Sequence, residues 1–155
     1  MLEGTHYQNA YVTRDIVKAV AAFTAQADVR KIIQFEGSNE VMTANGPGTQ
    51  TNKFAFIWVG DLQYELIEPV SEFVAIFSPA LPADDSLRFH HSCMRIDDWT
   101  DFRARVQQQP YPVVMEGDTD TLKFLYLDTR ELLGHYVEYV WMTDERWTQL
   151  GGRER

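Results

Sequence analysis

Apolar and polar positions alternate with a period of two along Thr5–Thr13 and again along Arg88–Ile96, the pattern of a half-buried strand. Each run gives way at an Asp to a stretch where apolar residues recur at helical spacing. After Asp15 these are Ile16, Val20 and Phe23; after Asp97 they are Trp99, Phe102 and Val106. An Asp at such a boundary accepts from a free backbone N–H of the first turn, so Asp15 and Asp97 read as equivalent caps. Asp98 and Asp101 then fall in the first helical turn, where the helix dipole favours acids. Three β-type segments follow each helix. In the first half they are Lys31–Glu36, Lys53–Val59 and Gln63–Val70; in the second, Tyr111–Met115, Thr121–Leu127 and Tyr136–Trp141.

The order strand–helix–strand–strand–strand therefore occurs twice. Gly37–Asn52, rich in Gly, Asn, Thr and Ser, reads as a flexible loop, and Ser78–Asp85, with Pro79 and Pro82, as a linker between the halves. Thr143–Arg155 reads as a tail with a short docked segment around Trp147 and a frayed end. The expected organisation is one domain over 1–155, with modules at 5–75 and 86–142 and a tail at 143–155. Neither half alone buries much surface. Pairing them gives an α+β fold: two tandem βαβββ modules form a curved mixed sheet around a cleft, with the helices outside.

Composition removes several function classes. The hydrophobic share of 45% supports a core, but no long apolar run offers a membrane span. The net charge is −9 and the basic residues are scattered, so no footprint for nucleic-acid phosphates exists. The first residues lack a basic region followed by an apolar stretch, and Cys93 is the single cysteine. A reduced, cytoplasmic setting is expected, with Cys93 as core filler.

The candidate chemistry sits in the strands. Glu65, in Leu62–Pro69, and Glu138, in Gly134–Val140, each place a carboxylate among apolar and aromatic neighbours. Isolated carboxylates are costly inside a packed sheet, so each needs a partner. Alternation puts His6, Gln8, Ala10 and Val12 on the cleft side of the first strand, and His91, Cys93 and Arg95 on that side of its counterpart. Gln8 lies seven residues before Asp15 and His91 six before Asp97, so the two are near-equivalent. His6 is the alternative to Gln8. His90 is the alternative to His91, although it points the other way. Arg95 is a candidate for binding a substrate carboxylate or phosphate, or a rim ion pair. The bland alternative for Glu65 and Glu138 is a solvent-facing sheet surface.

Over about residues 5–141 the chain resembles the vicinal oxygen chelate superfamily, which includes glyoxalase I, methylmalonyl-CoA epimerase, extradiol dioxygenases and bleomycin-resistance proteins. The phrases Glu65-Leu66-Ile67-Glu68-Pro69 and Gly134-His135-Tyr136-Val137-Glu138 are similar to its closing-strand motifs. The resemblance implies a divalent metal (Zn, Ni, Co, Mn or Fe) held by Gln8, Glu65, His91 and Glu138. It further implies an isomerase, epimerase or lyase that chelates a small-molecule substrate through neighbouring oxygens and stabilises an enolate-type intermediate. Glu138 is the first choice as catalytic base and Glu65 the second. Extradiol ring cleavage and metal-free ligand binding are the alternatives. A homodimer is expected, with modules pairing either within a chain or across copies.

Overall fold

In the computed structural model, which describes residues 3–153, the β-type segments become eight strands. Strand β1 (Thr5–Val12) leads to helix α1 (Ile16–Thr24), then β2 (Lys31–Thr43), β3 (Gly46–Val59) and β4 (Leu62–Ser71). The order repeats as β5 (Arg88–Arg95), α2 (Trp99–Val106), β6 (Val113–Asp118), β7 (Leu122–Leu127) and β8 (Tyr136–Met142). A short α3 (Arg130–Leu133) precedes β8, and α4 (Asp144–Gln149) follows it. The strands close into one barrel in the order β1-β4-β3-β2-β6-β7-β8-β5. The mixed α+β class and the curved sheet are as expected. The modules pair within a single chain: β1 runs antiparallel to β5 along its length, whereas β2 meets β6 in register only at Met42 opposite Glu116.

Local chemistry sets the helix starts. Asp15 caps α1 by accepting from Lys18 N at 3.0 Å, and Glu68 accepts from Ile16 N at 2.8 Å, so two free donors of the first turn are satisfied. The cap of α2 is Asp98, not Asp97; it accepts from Asp101 N at 2.9 Å. The reason is that Ile96 N still bonds Val140 O at 2.8 Å, so the sheet holds the chain past β5 and the helix starts later. This correction makes the repeat exact in spacing: Gln8 to Asp15 and His91 to Asp98 are both seven residues.

The larger correction is Gly37–Asn52. It is not a loop: β2 and β3 pair continuously from Lys31 opposite Trp58 to Thr43 opposite Gly46. Polar pairs such as Ser38–Thr51 and Thr49–Glu40, at 2.7 and 2.6 Å, link the strands. Inward positions here include Gln50 and Asn52, so the hairpin lacks the apolar period that marks a strand.

Three apolar clusters hold the fold. Ile16 and Ala19 of α1 pack on Ala55, Ile57 and Leu66, and Phe102 and Val106 of α2 pack on Leu125, Val137 and Tyr139. The third fills the barrel around Trp58, Ile67 and Tyr126. The tail is docked further than expected. Trp147 packs edge-on against Tyr7 and Trp58, with ring centroids 5.1 and 5.6 Å away, and Trp58 Nε1 donates to Leu150 O at 2.7 Å. Gly151 and Gly152 are buried, so the expected fraying does not include them; Glu154 and Arg155 lie outside the described residues.

Candidate metal centre

Glu65 from β4, His91 from β5 and Glu138 from β8 meet inside the barrel. His91 Nε2 lies 3.4 Å from Glu65 Oε2 and 3.3 Å from Glu138 Oε2. One ligand atom from each residue falls within 4.8 Å of the others. Adjacent ligands around a divalent ion with bonds of about 2.1 Å stand roughly 3.0–3.4 Å apart, so this spacing suits a shared cation. Gln8 lines the same cavity as the two glutamates. Its Oε1 is buried without a hydrogen-bond partner, while Glu65 Oε2 and His91 Nε2 have only the imidazole–carboxylate contacts of the cluster itself. Unpaired buried acceptors are costly, and a cation satisfies them. An imidazole, an amide oxygen and two carboxylates suit a borderline-hard divalent ion.

A bulge in β1 decides which first-strand residues enter. Register slips between His6 and Gln8, so Tyr7 turns inward beside Gln8 while His6 stays exposed. His6 Nε2 instead meets Asn9 Oδ1 at 2.8 Å on the surface, so this alternative to Gln8 does not reach the cluster. A second slip, between Ala10 and Tyr11, accompanies the inward position of His90. Simple alternation had turned His90 away; here it is buried beside His91, with Nδ1 2.8 Å from His91 Nδ1.

Two backbone carbonyls fix the orientation of the first-strand residues. Ile76 O, 2.9 Å from His90 Nε2, can only accept, so that nitrogen carries hydrogen. Burial, and then the charge of His91, pushes the His90 pKa down to about 3, so the ring is neutral and Nδ1 is an acceptor. His91 Nδ1 therefore donates, and its Nε2 points toward the carboxylates with either a lone pair or a second proton. In the other module Leu150 O accepts from Gln63 Nε2, at a longer 3.5 Å. Gln63 Oε1 then accepts from Gln8 Nε2 at 2.5 Å, which leaves Gln8 Oε1 free. His90 was weighed from the sequence only as an alternative to His91 and turned to the other face, and Gln63 was not singled out at all. His90 carried a signal, the His90-His91 pair; Gln63 carried none.

Electrostatics follow from burial. For His91, burial disfavours the charged ring, but hydrogen bonds and charge from Glu138 and Glu65 outweigh it and lift the pKa to about 9. Burial raises the Glu65 carboxyl, with His91 pulling it back. Burial, followed by the Glu138 charge, raises the Tyr126 hydroxyl and the Cys93 thiol well above their ordinary values. Cys93 is thus a neutral core thiol rather than a nucleophile. Arg95 lies outside the cavity wall. Its guanidinium covers the Trp147 ring at 4.3 Å and pairs with Asp144 at 3.1 Å, which pins α4.

The cavity has a volume of about 110 Å³. Phe54, Phe56, Phe124 and Tyr126 supply aromatic walls, and Trp147 and Leu150 close the α4 end. By water-sized occupancy that is room for a cluster of waters or for one small ligand.

The fold and this inward cluster define a class. A family model for the glyoxalase/bleomycin resistance protein/dioxygenase superfamily matches residues 7–126, and the chain belongs to that superfamily. Solved structures agree on the fold. Methylmalonyl-CoA epimerase from Mycobacterium tuberculosis is 13% identical with a TM-score of 0.66, covering 96% of this chain and 97% of its own. The hypothetical protein BH1468 from Bacillus halodurans C-125 is 14% identical with a TM-score of 0.63, covering 90% and 95%. A Streptomyces coelicolor methylmalonyl-CoA epimerase variant in complex with 2-nitronate-propionyl-CoA is 15% identical with a TM-score of 0.62, covering 91% and 96%. Among curated proteins, none matches the sequence. Among the described residues, no helix is long and apolar enough to cross a membrane.

Proposed function

We propose that the protein is a divalent-metal-dependent isomerase, epimerase or lyase acting next to a carbonyl, with Gln8, Glu65, His91 and Glu138 as its metal ligands. The observation that carries this reading is the convergence of two carboxylates on one imidazole nitrogen at 3.3–3.4 Å inside an otherwise aromatic cavity. Bound there, a divalent ion supplies the positive charge that stabilises an enolate-type anion on a substrate with two neighbouring oxygens. Glu138 takes the proton from the adjacent carbon. Its side chain is 13% exposed against 7% for Glu65, so it has the better access to a ligand in the cavity. Gln63 holds Gln8 in place, and Phe54 and Phe56 exclude water from the reacting end. The small cavity accommodates the acyl part of a substrate rather than a whole coenzyme. Because the barrel closes within one chain, a second copy is not needed to complete the site.

Extradiol chemistry with two imidazoles and one carboxylate is disfavoured, because His6 faces solvent and His90 Nδ1 is engaged by His91. Metal-free ligand binding draws support from the enclosed aromatic walls and is the second reading.

Elemental analysis of the purified protein and of the Glu65→Ala/Glu138→Ala variant tests the proposal. About one divalent ion per chain, lost in the variant, is expected for a shared four-residue site. No ion after reconstitution with a panel of divalent metals would overturn it. With metal retained, Glu138→Gln abolishes solvent-deuterium exchange at the substrate carbon; unchanged exchange would remove Glu138 as base.

A further inference from the structure

The inward row of β3 runs Trp58, Phe56, Phe54, Asn52, Gln50, and all but Trp58 line the cavity. Phe56 stands opposite Glu65 in the β3–β4 pairing. From the acid end, then, the wall passes two phenyl rings and reaches two amides. Asn52 is four residues from Phe56, about 13 Å along the strand. Both amides are buried, Asn52 at 3% exposure and Gln50 at 2%. Gln50 Oε1 accepts from Val74 N at 3.4 Å, which fixes the amide and leaves Nε2 as a donor with no acceptor. Asn52 Oδ1 is a buried acceptor with no donor. Two unpaired polar atoms on one cavity wall are a built deficit that a ligand can fill.

The surroundings specify the ligand's charge. Across the β2–β3 pairing Gln50 faces Asn39 and Asn52 faces Gly37, so no ionised group stands opposite either amide. Arg146 is the one cationic side chain lining the cavity among the described residues, and it belongs to α4, which packs on Trp58 at the opposite end of the row.

We propose that Gln50 and Asn52 form a neutral donor–acceptor subsite that selects ligands carrying a carboxamide, or a similarly paired N–H and C=O group, at the end remote from Glu65, His91 and Glu138. Gln50 Nε2 donates to the ligand carbonyl, and Asn52 Oδ1 accepts from the ligand N–H. A carboxylate has no hydrogen for Asn52 and finds no cation there, so the subsite rejects it. The subsite stands on the amides alone; that it grips the far end of the substrate of the acid–imidazole cluster rests on the proposed function.

Three probes of one length test this by calorimetric titration: 3,4-dihydroxycinnamamide, the corresponding carboxylate, and the hydrocarbon analogue with isopropyl in place of the carboxamide. Each is titrated into zinc-reconstituted and metal-free protein. The amide is expected to bind roughly tenfold or more tighter than the other two. Asn52→Leu and Gln50→Met each erase the preference while hydrocarbon affinity stays within about threefold. The wild-type comparison decides even if a variant fails to fold. Equal binding of the three probes by wild type, no binding of any probe to either form, or a preference that survives both substitutions would overturn the subsite. Failure of the metal reading looks different: no zinc is retained, yet the amide preference persists in the metal-free protein.

Discussion

Replacing His90 by Gln should remove a large acid-sensitive contribution to stability. His90 is 3% exposed, and its pKa falls from 6.5 to about 3 because burial disfavours the charged ring and His91 repels it. A depressed pKa stabilises the fold above the unfolded value of 6.5, and that stability is lost as pH falls through 6.5 toward 3. At 1.36 kcal/mol per pH unit the whole span is worth on the order of 5 kcal/mol, against a total of about 5–15 kcal/mol for a domain. By pH 4 the loss is about 3 kcal/mol. His91 does not confound the comparison, since its pKa of about 9 keeps it protonated in the native state throughout this window. Glu65 titrates alike in both proteins. Guanidinium midpoints at pH 7, 6, 5 and 4 measure the difference between wild type and His90→Gln. The wild type should lose about 3 kcal/mol more than the variant between pH 6.5 and 4. Stability curves that run parallel across that range would refute the assignment of His90 as a buried neutral ring.

Other consequences are open to direct measurement. His91 carries a proton at Nε2 below its pKa of about 9, so metal binding there must displace it: affinity rises with pH up to about 9, with one proton released per ion, measured by calorimetry in buffers of different ionisation enthalpy. His90→Phe removes the acceptor that holds His91 Nδ1–H and should weaken zinc binding about 10–100-fold in a competition assay with a chromogenic chelator. Gly151 has φ +88°, and an added Cβ would lie 2.7 Å from Trp58 Nε1, so Gly151→Ala undocks α4 and speeds tryptic cleavage after Arg146 with little change in far-UV circular dichroism.

What the sequence made legible follows from where its signals are strong. Apolar period and capping chemistry marked β1, α1, β5 and α2, because one face of each is buried against the core. The acids were legible for the opposite reason: Glu65 and Glu138 interrupt apolar strands, and only a shared partner makes that tolerable. The distal part of the β2–β3 hairpin, Gly37–Asn52, was not legible, since its inward face carries the amides Gln50 and Asn52 rather than apolar residues and its outward face is polar too. Bulges were the other loss. One slipped residue in β1 brings Tyr7 inward and leaves His6 outside, and no composition signal marks that slip. Arg95 shows a further limit: alternation assigned its face, but its partners Trp147 and Asp144 come from α4, which no strand pattern locates.

The two modules are equivalent in register and use different residues for the same task. Gln8 sits opposite Gln63 on the parallel β1–β4 pair, and His91 opposite Tyr136 on the parallel β5–β8 pair. Glu65 faces Phe56 as Glu138 faces Tyr126. In each module a carbonyl oxygen orients a second side chain, which accepts the N–H of the first-strand residue and leaves its other polar atom aimed without a partner. Ile76 O, His90 and His91 form one chain; Leu150 O, Gln63 and Gln8 form the other. If this is how the amide oxygen is presented, Gln63→Leu frees Gln8 to rotate and offer N–H instead of C=O. An N–H cannot ligate a cation, so zinc affinity should fall about 10–100-fold, as for loss of other outer partners of a metal ligand. Gln63→Glu keeps an acceptor facing Gln8 Nε2 and should retain more affinity than Gln63→Leu. Trp58 still donates to Leu150 O in both variants, so α4 remains docked and the comparison isolates the amide. Equal zinc affinity in wild type and Gln63→Leu would mean that Gln8 is not oriented by Gln63, or is not a ligand at all, and Gln8→Leu would separate those two cases by whether affinity then falls.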